Sequence, residues 1–223
     1  MREGYVDTDL RVIALSGMAM LGVTACGNAG DSPAKTPLQP LRESVPKPDV
    51  ADGDRWEYET TGGDAPARWS IEVKTTHAEG RFDALLRAPA LLTPSPSTDS
   101  LVSYDGPWNP QQPAPAQGLT YLQFPLQDGK RWTSVTVGPG EMTRTLVQQV
   151  KGRQTVTVAG APIDCVRGDG TETTTPTGTP SAAISVPMTF WYCPSLRAVG
   201  RAEMAIPLGP RVVHALVTFQ SGR

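Results

Sequence analysis

Few side chains in this sequence could carry chemistry, and their spacing narrows the field. The two histidines, His77 and His214, stand far apart, and neither has a cysteine or carboxylate cluster at metal-ligand spacing. His77 lies in a polar turn between two alternating runs and reads as solvated. His214 alternates with Val212 and Leu216, so it reads as a core histidine with a hydrogen-bond partner. Asp49, Asp52 and Asp54 cluster around Gly53, but the spacing misses the calcium-loop pattern and its distal Glu. They read as solvated charges. Glu57 and Glu59 share one side of a strand and could imitate an acid pair, yet opposite Trp56 and Tyr58 they read as its wet face. Arg197 and Arg201 share a strand face and either hold an anion or are simply solvated. Trp108, in Asp105-Gly106-Pro107-Trp108-Asn109-Pro110, is placed on a loop. There it caps a cavity mouth, contacts a glycan or lipid, or folds back on its own loop. No Gly-x-Ser-x-Gly elbow, Walker loop or dinucleotide fingerprint occurs. The sequence therefore assigns no catalytic residue, no metal site and no cofactor.

The most specific chemistry belongs to Cys26. Residues 12–23 read VIALSGMAMLGV, an uncharged apolar run behind Arg11. As a helix rising about 1.5 Å per residue it spans roughly 18 Å, well short of the roughly 30 Å hydrocarbon core. A short apolar run ending in small residues is a secretory signal. The four residues Val23-Thr24-Ala25-Cys26 resemble the bacterial lipobox, an aliphatic residue and two small residues before a cysteine. In that motif the thiol becomes a thioether to diacylglycerol, and cleavage before Cys26 frees an amine for a third acyl chain. Several acyl chains, each buried CH₂ worth about 0.8 kcal/mol, anchor a protein durably. Glu3, Asp7 and Asp9 make residues 1–10 acidic for a signal, so either translation starts further downstream or Arg11 suffices. Gly27 follows the cysteine, and the resemblance then implies the outer membrane, facing the periplasm, in a Gram-negative host. In a Gram-positive host the anchor faces outward from the plasma membrane. If Cys26 is acylated, Cys165 and Cys193 remain as an even pair in an oxidising compartment, which predicts a disulfide between neighbouring strands. A bridge closing about 29 residues stabilises by roughly 3 kcal/mol in the loop-entropy model.

The elements that must carry these residues fall into three parts: residues 1–25 as signal helix, 26–52 as a lipidated cysteine and tether, and 53–223 as a β-domain. Pro33, Pro37, Pro40, Pro46 and Pro48 punctuate the tether, which carries few apolar residues and is expected to be disordered. Extended at about 3.1 Å per residue it would reach roughly 75 Å. From Asp54 onward the hydrophobic period is two. Runs at 56–59, 69–74, 82–86, 132–137, 142–151, 154–158, 163–167, 188–193, 196–206 and 212–219 read as antiparallel strands, with a short one at 101–104. Gly62-Gly63, Asp128-Gly129, Gly138-Pro139-Gly140 and Gly152 read as turns. Residues 88–118 and 171–183, the latter TETTTPTGTPSAA, read as long surface loops. About ten strands in one sheet should twist and curl. The predicted fold class is all-β, a curled antiparallel sheet forming a half-barrel, barrel or sandwich.

Three segments resemble a group of uncharacterised β-rich bacterial envelope proteins. They are Phe124-Pro125-Leu126 with Gly129-Lys130-Arg131-Trp132, the stretch from Val156-Thr157-Val158-Ala159-Gly160 through Cys165-Val166, and Phe190-Trp191-Tyr192-Cys193-Pro194. The resemblance covers roughly the last hundred residues. It departs at Pro162, which follows the turn glycine, and at Cys193 and Ser195, which replace small residues. It implies a curved antiparallel sheet, in some members likened to lipid or lipoprotein carriers, and it brings no catalytic residues.

Composition bounds the rest. Lys+Arg is 20 against Asp+Glu 22, net -2, which excludes a sequence-independent nucleic-acid binder. Gly 22 and Pro 22 disfavour a helical bundle. The sequence points to an envelope lipoprotein on the membrane through Cys26, with a non-catalytic β-rich domain that binds or scaffolds an unknown envelope protein. The alternative is a carrier of a hydrophobic ligand such as a lipid in the concave face. A hydrolase with an unrecognised site is the least supported reading.

Overall fold

The computed structural model describes residues 36–62, 66–78, 82–87, 99–104, 119–138, 142–176 and 178–222, with the backbone alone for 99–104. The β-domain is one antiparallel sheet of ten strands. They are β1 Arg55–Thr61, β2 Ala67–Thr76, β3 Phe82–Arg87, β4 Asp99–Tyr104, β5 Arg131–Gly138, β6 Met142–Val158, β7 Ala161–Pro176, β8 Ile184–Cys193, β9 Ala198–Ala205 and β10 Arg211–Gln220. Their spatial order is β4-β3-β2-β1-β10-β9-β8-β7-β6-β5, so β10 joins two meanders and β4 and β5 form the edges. The sheet is all-β and curled but not closed into a barrel. Cys26 and Trp108, with most of 88–118, lie outside the described residues.

Period-two alternation produces the strands. In β1 the buried Trp56, Tyr58 and Thr60 alternate with residues that keep contact with water. Bulges then bend the sheet. Registers shift at Glu57/Tyr58, Val73/Thr75, Val150/Gly152 and Trp191/Tyr192, and each extra residue raises the local twist.

The bulge in β6 corrects one expectation. Residues 142–151 and 154–158 form a single strand of 17 residues, and Gly152 is a bulge inside it, not a turn. Even-numbered side chains of β6 are buried on both sides of the bulge. Before it, Val150 joins the cluster of Val166, Phe190 and Tyr192. After it, Val156 and Val158 join the cluster of Trp56, Ile71 and Trp191. One inserted residue moves the even positions from one face of the sheet to the other. The expected loop at 171–183 is also corrected. Thr171 to Pro176 extend β7 and pair with β6 on one side, and Thr171 to Thr174 pair with β8 on the other. Threonine is β-branched, so a polar Thr run suits a two-sided wet strand as well as a loop.

The tether departs furthest from expectation. Its second half is not disordered: residues 39–50 run as a strap across the sheet. Gln39 exchanges backbone hydrogen bonds with Arg153 at 2.9 and 2.6 Å, and Val45 with Leu126 at 2.8 Å in both directions. Leu41 and Val45 are each 8% exposed and pack on Leu122, Leu126 and Val150. Gln154 Nε2 donates to the Thr36 carbonyl at 2.9 Å while its Oε1 accepts from Trp191 Nε1 at 2.9 Å. The prolines that suggested disorder also restrict the unfolded segment, so docking costs less entropy. A freely extended reach of 75 Å is therefore not available to this tether.

Gly152 makes the docking possible. Its φ is 133°, a region that favours glycine, and a Cβ there would sit 2.3 Å from the Gln39 carbonyl oxygen. We expect Gly152→Ala to lower the urea midpoint by the equivalent of about 2 kcal/mol and to strip hydrogen-exchange protection from the Gln39 and Val45 amides. Unchanged protection at both amides would show that the strap does not rest on the bulge.

Candidate functional site

The strap, the start of β1, the β8–β9 connection and the chain end meet at Asp54. This carboxylate is 0% exposed. Its Oδ2 accepts from the Ala51 amide at 2.9 Å and pairs with Arg197 Nη1 at 2.9 Å, and its Oδ1 accepts from the Gly222 amide at 3.0 Å. The Asp54 backbone continues the pairing, with Val73 N donating to its carbonyl at 2.8 Å. Arg197 is held as firmly. It follows the 3-10 turn Pro194–Leu196 in the left-handed region with φ 55°. Its guanidinium also donates to the Asp49 carbonyl at 3.1 Å and to Ser221 Oγ at 2.9 Å, and it lies over the Phe219 ring. Asp54 is thus no solvated linker charge. Arg197 and Arg201 do not converge either, because Arg201 Nε pairs with Glu203 at 2.8 Å.

Beside this ion pair the strap roofs a shallow cavity of about 470 Å³. One wall is Val45, Pro46, Lys47, Pro48 and Asp49; the other is Tyr192, Pro194, Ser195 and Arg197. Tyr192 is 1% exposed and its ring meets Phe124 edge-on at 5.1 Å. Burial pushes its phenol well above the ordinary tyrosine range, with Arg197 pulling weakly the other way, so the hydroxyl stays protonated at neutral pH.

The remaining polar clusters hold the fold together. Trp69 Nε1 donates to Thr60 Oγ1 at 3.0 Å, and Thr60 Oγ1 lies 2.7 Å from His214 Nδ1. Thr60 Oγ1 thereby bridges the indole to Nδ1, which leaves the other ring nitrogen, Nε2, outside this chain of bonds. That Nε2 is buried without a partner among the described residues. Burial pushes the His214 pKa down to about 4. The cross-sheet trio of Tyr121, Arg144 and Glu172 is fully engaged, with the Tyr121 hydroxyl donating to Glu172 Oε2 at 2.7 Å and Arg144 Nε to Oε1 at 2.9 Å. Glu57 and Glu59 pair with Arg55 and Arg68, so they form a charged outer face and not an acid pair. His77 bonds Asp83 at 2.8 Å at the surface.

Cys165 and Cys193 form a disulfide between adjacent β7 and β8, with Cα atoms 4.1 Å apart. Gly200 leaves room for it, since a Cβ there would fall 2.6 Å from Cys193 Sγ. In the sequence Asp54 reads as a solvated charge beside Gly53, and Tyr192 carries no signal beyond its place in a strand-like run.

No family model matches this chain, and no curated protein matches it. Two solved structures share part of its path. One is a Bacteroides fragilis protein with a YmcC-like fold, named as exported, at 11% identity and TM-score 0.42 over 80% of this chain and 100% of that one. The other is the hypothetical lipoprotein YmcC of Escherichia coli, at 13% identity and TM-score 0.40 over 78% of this chain and 90% of that one. Neither name states an activity.

Two measurements check the site's energetics. Arg197→Ala leaves the Asp54 charge buried and uncompensated, and should cost about 3–5 kcal/mol in urea unfolding, more than the double variant Asp54→Asn/Arg197→Met. Equal losses would mean the pair is not coupled. His214 binds fewer protons folded than unfolded between pH 4 and 6.5, so stability is full above pH 6.5 and falls as pH drops towards 4. The loss by pH 4 should approach about 3 kcal/mol and should flatten in His214→Gln, read from urea midpoints at each pH.

Proposed function

We propose that this chain is a lipid-anchored cell-envelope protein whose β-domain is a non-catalytic binding or scaffold module. Anchoring rests on Val23-Thr24-Ala25-Cys26 behind a short apolar run. Gly27 favours the outer membrane if the host is Gram-negative. The observation that favours a module over a lipid carrier is the close packing of the core among the described residues. Trp56, Ile71, Leu126 and Leu146 are each 0% exposed, and Leu122 and Val150 each 1%. A carrier needs such side chains to line an open cavity of several hundred Å³; here they are packed into three described clusters. The non-catalytic reading is supported by the described polar clusters, in which Asp54, Glu172 and Glu203 are each tied to an arginine.

Cys26→Ala should move the protein from the membrane to the soluble fraction while near-UV circular dichroism of the β-domain stays unchanged. Retention of the variant in washed membranes would overturn the anchoring. Phospholipid co-purifying in stoichiometric amount with the soluble variant would favour the carrier instead.

A further inference from the structure

The cavity under the strap presents hydrogen-bonding groups beside proline-lined apolar walls. Its volume of about 470 Å³ falls within the range of small-molecule sites, roughly 300–1,000 Å³. Tyr192 lines it while 1% exposed. A hydroxyl on a largely desolvated pocket wall gains more from a bound acceptor than one at the open surface. Ser195 adds an exposed hydroxyl at the rim.

Charge and wall chemistry narrow the class. The cations Lys47 and Arg197 are matched by Asp49 at the wall and by Asp54 behind Arg197. The site has no net excess to favour a strong anion. Pro46, Pro48 and Pro194 supply apolar C–H surface with fixed φ, which stays ordered without a ligand and lowers the entropic cost of binding. An acyl chain would satisfy those walls but strand the Tyr192 hydroxyl. An uncharged ring with hydroxyls on its rim and C–H groups on its face satisfies both. We propose that this cavity binds a neutral sugar unit, with the Tyr192 hydroxyl donating to a ligand oxygen. The inference names a ligand for the binding-module reading, and it does not depend on lipidation of Cys26.

The test is saturation-transfer NMR on the full chain with glucose, galactose, mannose and N-acetylglucosamine as separate probes, and with phosphate titrated as a competitor. At least one sugar should bind, phosphate should not displace it, and Tyr192→Phe should weaken binding roughly three- to tenfold, the loss of one hydrogen bond. That substitution keeps the ring and its contact with Phe124, and near-UV circular dichroism checks that the variant is folded. If Tyr192→Phe does not fold, Ser195→Ala at the exposed rim should weaken the same sugar. Binding of none of the four sugars, displacement by phosphate, or binding left unchanged by the hydroxyl deletion would each overturn the proposal. Because none of these readouts involves a membrane, failure here leaves the anchoring of Cys26 to its own test.

Discussion

A carboxylate with no exposed surface cannot stay charged without partners held in place, and Asp54 has three. They come from three sequence neighbourhoods: the end of the strap, the β8–β9 connection and the last residues of the chain, while Asp54 itself stands just before β1. The geometry that satisfies this one group therefore fixes where the polypeptide enters and leaves the sheet. It also explains why Arg197 adopts a left-handed backbone, since its side chain must reach Asp54, Asp49 and Ser221 together. The ion pair is not in itself a large source of stability, because desolvation offsets much of its attraction. Its effect is specificity: alternative placements of the strap or chain end would leave a charge buried alone.

An open sheet of ten strands must cover apolar surface on two faces without closing on itself. This protein does so by bulges and by the strap. The bulge at Gly152 turns β6 so that one continuous row of buried positions serves the two clusters in turn. The tip of the β6–β7 hairpin reaches β10, where the Ala159 amide donates to the Leu216 carbonyl at 3.2 Å. The strap then covers what remains around Leu122, Leu126 and Val150. The disulfide of Cys165 and Cys193 pins β7 to β8 within the first cluster, beside Trp191 and Val156.

The strap gives the functional argument its shape. Five of the nine residues around the cavity belong to it: Val45, Pro46, Lys47, Pro48 and Asp49. The segment that reads as a spacer is thus half of the cavity's wall. Tyr192 joins the two roles, since its ring belongs to the second core cluster while the residue lines the cavity. Three prolines, Pro46, Pro48 and Pro194, stiffen the two sides of this cavity.

Alternation of apolar and polar residues is a local property, and it placed most strands within a few residues, including the short one at 99–104. The lipobox is read from four adjacent residues, and the even pair Cys165 and Cys193 from compartment and count. The disulfide is a matter of count and covalent chemistry, so the sequence alone carried it, while acylation of Cys26 is a reading of those four residues. What alternation could not say is whether two runs are separate strands or one strand with a bulge, because Gly152 suits both. Nor could composition say that residues 39–50 dock, since proline content lowers apolar burial and also lowers the entropy of the free chain. The burial of Asp54, the placing of Arg197 and the exposure of Tyr192 to a cavity each depend on segments far apart in sequence. Only the tertiary structure decided them, because the free energy of a buried polar group is set by partners that the chain brings together after it has folded.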